Sequence, residues 1–366
     1  MKKSIFILAF ASFIFASCSD DNNTNDPVIV KPVEGGTVAA KVGGPNQPNQ
    51  VFVDLSANTQ SIAKRDTWDL GFSTGADFRV IINGSVKMAV KKLETTNIDE
   101  VQTQDNAVAV GTETIASWGY VDNPTGILTG NGAGIGTAIA EISATATDNY
   151  VYLVNMGFEV GTSTPSTGSV ALDGNSRGWK KIRITRDGND YVVDYANLAD
   201  TTHKTVKVSK KSDFNFTFLS LATGQEVSVQ PTKKQWDLSF TSFTNYIDYG
   251  QDQITYGFAD FITTNILVGT KVYMVQSTAA TLASEFTAFT KANVEEGKFS
   301  TSTTDQRVIG DTWRVGGGPS SQPSIKDERF YVVKDVDGNY FKVKFIALTN
   351  DAGKRGNPVF EYELLK

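Results

Sequence analysis

Histidine and cysteine are almost missing from these 366 residues, with one of each, His203 and Cys18. A lone cysteine leaves nothing for an internal disulfide and excludes a structural Cys-type metal site. A lone histidine excludes a two-histidine zinc motif, no Ser-His-acid set is evident around His203, and the carboxylates, scattered through loops, form no convincing catalytic pair. The sequence therefore reads as a non-enzyme. Positive charge is also short: the net charge of −6 lacks the basic footprint of a nucleic-acid surface. The one long apolar run, Ser4 to Phe15, is too short to span a bilayer. The glycine-rich stretch from Gly130 to Gly136 lacks the Lys-Ser/Thr of a phosphate loop and any βαβ context, so it is expected to be a loop or lid.

What is plentiful is aromatic: 22 Phe, 12 Tyr and 5 Trp. With abundant Thr and Val, that mixture favours half-buried strands. One stretch occurs twice, as Trp68-Asp69-Leu70-Gly71-Phe72 and as Trp236-Asp237-Leu238-Ser239-Phe240. Each copy follows an apolar run and a polar turn, Phe52 to Ser56 in one case and Phe216 to Leu221 in the other. Each is followed by an Asp-Gly-Asn turn, at Asp187-Gly188-Asn189 and Asp337-Gly338-Asn339. Three features in one order, repeated at a period too long for a solenoid, indicate a tandem duplication of an all-β unit. The copies are expected at residues 37–208 and 209–366, although the Thr205 to Val208 strand could close the first or open the second.

The N-terminus reads as a targeting segment. Lys2 and Lys3 precede the apolar run, and Phe15-Ala16-Ser17-Cys18 resembles a bacterial lipobox. That resemblance implies a lipoprotein signal peptide over 1–17 and lipid attachment at Cys18. Ser19 to Asp26 is polar and acidic, so residues 18–36 are expected to be a flexible acidic tether. Acidic residues directly after the lipidated Cys resemble a surface-export signal, which implies an outer-membrane lipoprotein exposed at the cell surface.

Along the body, alternation predicts strands at 37–42, 52–55, 68–72, 150–155, 181–185, 191–195, 214–221, 236–240, 253–261, 271–275, 329–334, 340–346 and 360–364. Asn83-Gly84 between Phe78–Ile82 and Val86–Val90 predicts a hairpin with a type I′ turn. Positions 68, 70 and 72 should share one buried face. Helical spacing of Leu282, Phe286 and Phe289, ahead of Gly297, predicts one helix over 279–296. Met88 and Met274 fall inside strand runs and read as core residues.

This ordered set resembles the HmuY family over both copies, from about residue 37 to the end. The resemblance rests on Phe218-Leu219-Ser220-Leu221-Ala222-Thr223-Gly224-Gln225-Glu226-Val227, on Gln235 to Phe240, and on Arg329-Phe330-Tyr331-Val332-Val333 through Asp337-Gly338-Asn339. It implies an all-β lipid-anchored protein that binds heme, a porphyrin, and passes it to a TonB-dependent outer-membrane receptor for iron acquisition. In the heme-binding members two axial side chains, His or Met, hold the iron. Here His203 falls in the linker between the copies, and the ligand position before a turn glycine corresponds to Gly317 in the second copy and to Met156 in the first. Met156 is thus the candidate iron ligand, with Tyr152 and Trp313 as candidate ring contacts, and a core plug is the alternative role for Met156. The competing function is a surface module that kept the fold and binds a glycan, a peptide or a receptor partner.

Overall fold

The structure is a computed structural model and describes residues 31–111, 115–130, 135–249, 252–317 and 322–366. Cys18, the signal segment and most of the tether lie outside the described residues, as do parts of the glycine-rich 130–136 and 316–319 stretches. From Pro32 to Lys366 the chain forms one compact unit.

The first copy contributes β1 (Gly35–Ala39), β2 (Asn49–Asp54), β3 (Thr59–Lys64), β4 (Leu70–Ser73), β5 (Val80–Ile82) and β6 (Ala89–Lys92). It continues with β7 (Val151–Asn155), β8 (Phe158–Val160), β9 (Asp173–Ser176), β10 (Trp179–Asp187) and β11 (Asp190–Asn197). Then come β12 (Lys204–Val208), β13 (Phe216–Ser220), β14 (Gln225–Val227), β15 (Leu238–Tyr249), β16 (Asp252–Thr264) and β17 (Lys271–Gln276). After the helix α1 (Leu282–Ala288) follow β18 (Arg314–Val315), β19 (Ser324–Ile325), β20 (Arg329–Lys334), β21 (Tyr340–Thr349) and β22 (Arg355–Leu364). The fold is all-β and antiparallel, as the alternation requires.

The pairing exchanges strands between the copies. The two five-stranded sheets run β1-β22-β21-β20-β17 and β12-β11-β10-β7-β6. The two four-stranded sheets run β16-β15-β2-β3 and β14-β13-β4-β5. The opening strand of each copy, β1 or β12, therefore edges the large sheet built by the other repeat or by the strands just before it. The opening hairpin, β2-β3 or β13-β14, lies beside the Trp-Asp-Leu strand of the other copy. Strand β12 opens the second repeat in sequence order yet completes the sheet of the first, so both readings of residues 205–208 hold in part. The cores follow the same exchange. Val51, Val53 and Leu55 of the first hairpin sit with Leu238, Phe240 and Phe360, while Leu219 and Leu221 of the second sit with Leu70, Phe72 and Val154.

Aligning the two large sheets corrects part of the sequence reading. Strand β10 matches β21 and β7 matches β20. The Asp187-Gly188-Asn189 turn joins β10 to β11, whereas Asp337-Gly338-Asn339 joins β20 to β21, so these two turns are not equivalent. A short polar turn recurs wherever strands must reverse, and its residues alone do not say which reversal it serves. By the same alignment the residue after β7, Met156, corresponds to the start of the Asp335 turn after β20, and not to Gly317.

Asn83-Gly84 is not a hairpin either. Strand β5 pairs with β4 and β6 with β7, in different sheets. Asn83 has φ −77° and caps a 3-10 turn from Gly84 to Val86, because its amide is taken up by the carbonyls of Arg65 and Trp68. The helix covers only Leu282–Ala288. Thr290 opens a separate capped 3-10 turn, and the Lys342 ammonium collects the carbonyls of Phe286, Thr287 and Phe289 where α1 ends. Leu282, Phe286 and Phe289 do pack together with Phe330. Met88 is buried, but Met274 is 36% exposed on β17.

Candidate functional site

The two Trp-Asp motifs build the same hydrogen-bonded clasp twice. In the first, the Asp69 amide donates to Leu219 O at 2.9 Å and its carboxylate accepts from the Leu221 amide at 2.6 Å. In the second, the Asp237 amide donates to Val53 O at 2.8 Å and its carboxylate accepts from the Leu55 amide at 2.9 Å. Asn83 and Asn265 complete the match by donating to Trp68 O at 2.8 Å and Trp236 O at 3.0 Å. Each aspartate thus fixes the end of the exchanged strand, and each asparagine fixes the peptide before it.

This clasp turns both tryptophans away from the strand face that carries Leu70 and Phe72. The expected common face of positions 68, 70 and 72 is therefore split. Trp68 meets Phe218 edge-on at 4.9 Å and Trp236 meets Phe52 edge-on at 5.2 Å. These four rings, with Phe216, make a small core at the junction of the copies.

A cleft of about 160 Å³ opens over that junction. Its walls include Phe52, Trp68, Phe216, Phe218, Trp236 and Phe243, with Gln50, Gln230, Thr241, Thr264, Asp122 and Gln306 between them. Among the described residues ten buried side-chain polar atoms find no protein partner. Six belong to cleft residues: the indole Nε1 of Trp68 and Trp236, the amide oxygens of Gln50 and Gln230, and the hydroxyls of Thr241 and Thr264. Buried polar groups are ordinarily paired, and an orphan costs about 1–3 kcal/mol. They are concentrated in residues that line this one cleft.

Asp122 adds a carboxyl whose two oxygens accept the amides of Ile82 and Ala138, both at 2.8 Å. Burial pushes it up to about 7 despite those two bonds. It therefore carries only part of a negative charge near neutrality. Among the described residues no lysine or arginine lines the cleft.

The residues singled out from sequence lie elsewhere. Met156 is 1% exposed and Tyr152 5% exposed, both inside the first core. The Tyr152 hydroxyl accepts the Ala140 amide at 2.9 Å, and burial raises its pKa. Trp313 is fully buried in the other large core, its indole donating to Asp260 O at 3.1 Å. The three are not brought to one site. His203 lies at the surface with Nδ1 3.0 Å from Asp99 Oδ1. Among the described residues no group of three or more His, Cys, Asp or Glu is arranged to hold a metal ion, and no helix is long and apolar enough to cross a membrane. The sequence did contain a signal for the cleft, since its duplicated Trp was the organising motif, but a large apolar residue on a strand reads first as core.

Strands exchanged around a shared aromatic junction define a duplicated all-β protein with a concave site between its repeats. The family model described as HmuY protein matches residues 46–216 and again residues 212–362. The chain belongs to the HmuY family, with two tandem copies. A search among curated proteins found none that matches. A solved structure, "Crystal structure of Apo PinO from Porphyromonas gingivitis", aligns over 91% of this chain and 98% of that one at 10% identity, with a TM-score of 0.24.

Proposed function

We propose that this protein is a lipid-anchored extracytoplasmic binding protein of HmuY type, held in the outer membrane through Cys18 and facing outward. It binds heme or a related porphyrin for iron acquisition and passes it to a TonB-dependent receptor. The observation that carries this reading is the family match to both copies. The lone Cys behind an apolar segment and before an acidic tether supports the anchor. In this reading the protein performs no chemistry; it captures and hands over.

A second reading, in which the fold serves a ligand other than heme, is favoured by a specific observation. The candidate iron ligand, Met156, is sealed in the core and the single histidine is engaged with Asp99 at the surface. Axial ligation needs a side chain that reaches an open face.

A hemin titration of residues 27–366, followed at the Soret band in oxidised and reduced protein, separates the two. A saturable shift, stronger on reduction, supports heme capture through a thioether. A Soret band that stays that of free hemin overturns the first reading and leaves the second.

A further inference from the structure

We propose that the cleft between the two Trp-Asp motifs binds a neutral, ring-sized, polyhydroxylated ligand, namely a sugar unit. The proposal goes beyond heme capture and does not depend on it. Size argues first. At about 160 Å³ the cleft falls below the roughly 300–1,000 Å³ of drug-sized pockets and close to the ~150 Å³ void that accepts benzene. That is the scale of one six-membered ring.

Charge argues second. The porphyrin carboxylates, or an anionic sugar, would need a cation, and the lining offers none. Asp122, the ionisable group among the described residues of the lining, would repel an anion whenever it is charged.

Hydrogen-bonding capacity argues third. Two indole N–H donors, two amide oxygens and two hydroxyls stand unpaired in residues that alternate with aromatic rings. Trp68 and Trp236 are 5% and 6% exposed, so an unpaired indole nitrogen there is a buried donor and not a solvated one. A sugar ring presents apolar C–H faces to aromatic rings and hydroxyls, each donor and acceptor, around its rim. A plain hydrocarbon would offer the polar side chains of this lining no partner. A ligand that only accepts would leave the Gln50 and Gln230 oxygens unmet.

Isothermal titration of residues 27–366 with D-glucose, D-galactose and N-acetyl-D-glucosamine, and with oligosaccharides ending in each, tests this. Tryptophan fluorescence provides a second readout. At least one probe is expected to bind saturably, and Trp236→Phe and Gln230→Ala should each weaken it about 3- to 10-fold. Trp236→Phe keeps an aromatic ring but removes the indole donor together with part of the buried ring volume, so a circular-dichroism melt checks that the fold is retained. Binding of the oligosaccharide alone, with the same dependence on the variants, also supports the site and identifies the ligand as a glycan terminus. No saturable heat into the millimolar range with any probe overturns the proposal, and so does an affinity that both variants leave unchanged. A hemin response that persists in sugar-saturated protein bears on the heme reading alone.

Discussion

Asp69 and Asp237 occupy equivalent clasps but differ in what neutralises them. Arg177 donates to Asp69 at 2.6 Å, with both side chains largely out of solvent. Asp237 has only the Leu55 amide and a long contact to the Thr270 hydroxyl at 3.5 Å. Burial, followed by the nearby charges of Asp335 and Asp54, pushes Asp237 up to about 8. The folded state then keeps a proton that the unfolded chain releases above the ordinary value of 3.8. The stabilisation is complete below that value and is lost progressively as pH rises to about 8. Asp237→Asn keeps the oxygen that accepts from Leu55 and removes the titration. Its stability relative to the native protein should therefore grow across this window, by on the order of 1.4 kcal/mol for each pKa unit that separates the folded from the unfolded carboxyl. Asp69→Asn should do the reverse, costing about 3–5 kcal/mol by stranding a largely buried guanidinium. Urea midpoints at several pH values decide both. A constant difference between native protein and Asp237→Asn across the window would show that Asp237 is ionised in the fold.

At the scale of elements, α1 is held at its end more than by its own propensity. Seven residues are too few for a helix to persist alone. Leu282 and Phe286 anchor its face, and the buried Lys342 ammonium satisfies three carbonyls at its C-terminus while pairing with Glu363 at 2.9 Å. Lys342→Ala should leave those carbonyls unmet, cost about 1–3 kcal/mol, and speed amide exchange in residues 282–293 before it does so in β20 and β21. Uniform loss of protection across the large sheet would instead mean that the helix and sheet open together. Period-2 alternation made nearly every long strand legible, and Leu282, Phe286 and Phe289 made the helix face legible. Helix length was not: Thr287 and Thr290 invite local side-chain bonds, and a polar lysine on a distant strand sets the end. Strand partners were illegible for a similar reason. Asn83-Gly84 looked like a local reversal because the partner carbonyls of Arg65 and Trp68 are brought to it only by the fold. The cleft was illegible too, since its walls come from strands over a hundred residues apart, although its two tryptophans were in plain view.

At the scale of the whole molecule, the exchange makes each repeat depend on the other. The β1 strand pairs with β22, Val38 opposite Phe360, and β2 lines up with β15 through Val53 and Leu238. On the other side β13 meets β4 through Leu219 and Leu70, and β12 meets β11 through Val208 and Tyr191. Val51, Val53 and Leu55 are each under 2% exposed, and at about 1.5–3 kcal/mol per buried aliphatic side chain they alone contribute several kcal/mol that a separated half forfeits. A half without its exchanged strands also uncovers two sheet edges, one in each of its sheets, which favour association over solution as a monomer. Residues 32–201 and residues 202–366, produced separately, should therefore each fail to give a dispersed amide spectrum. Mixed, they should recover it as a one-to-one complex. The intact chain should melt in a single transition, its calorimetric and van't Hoff enthalpies agreeing at about 0.7 kcal/mol per residue. Two transitions, or a half that folds alone as a monomer, would show that each repeat carries its own complete core. Recovery only on mixing would place the cleft where no single repeat can form it: Phe52 of the first hairpin against Trp236, and Phe218 of the second against Trp68. Ligand binding would then report on assembly of the two copies as directly as the melt does.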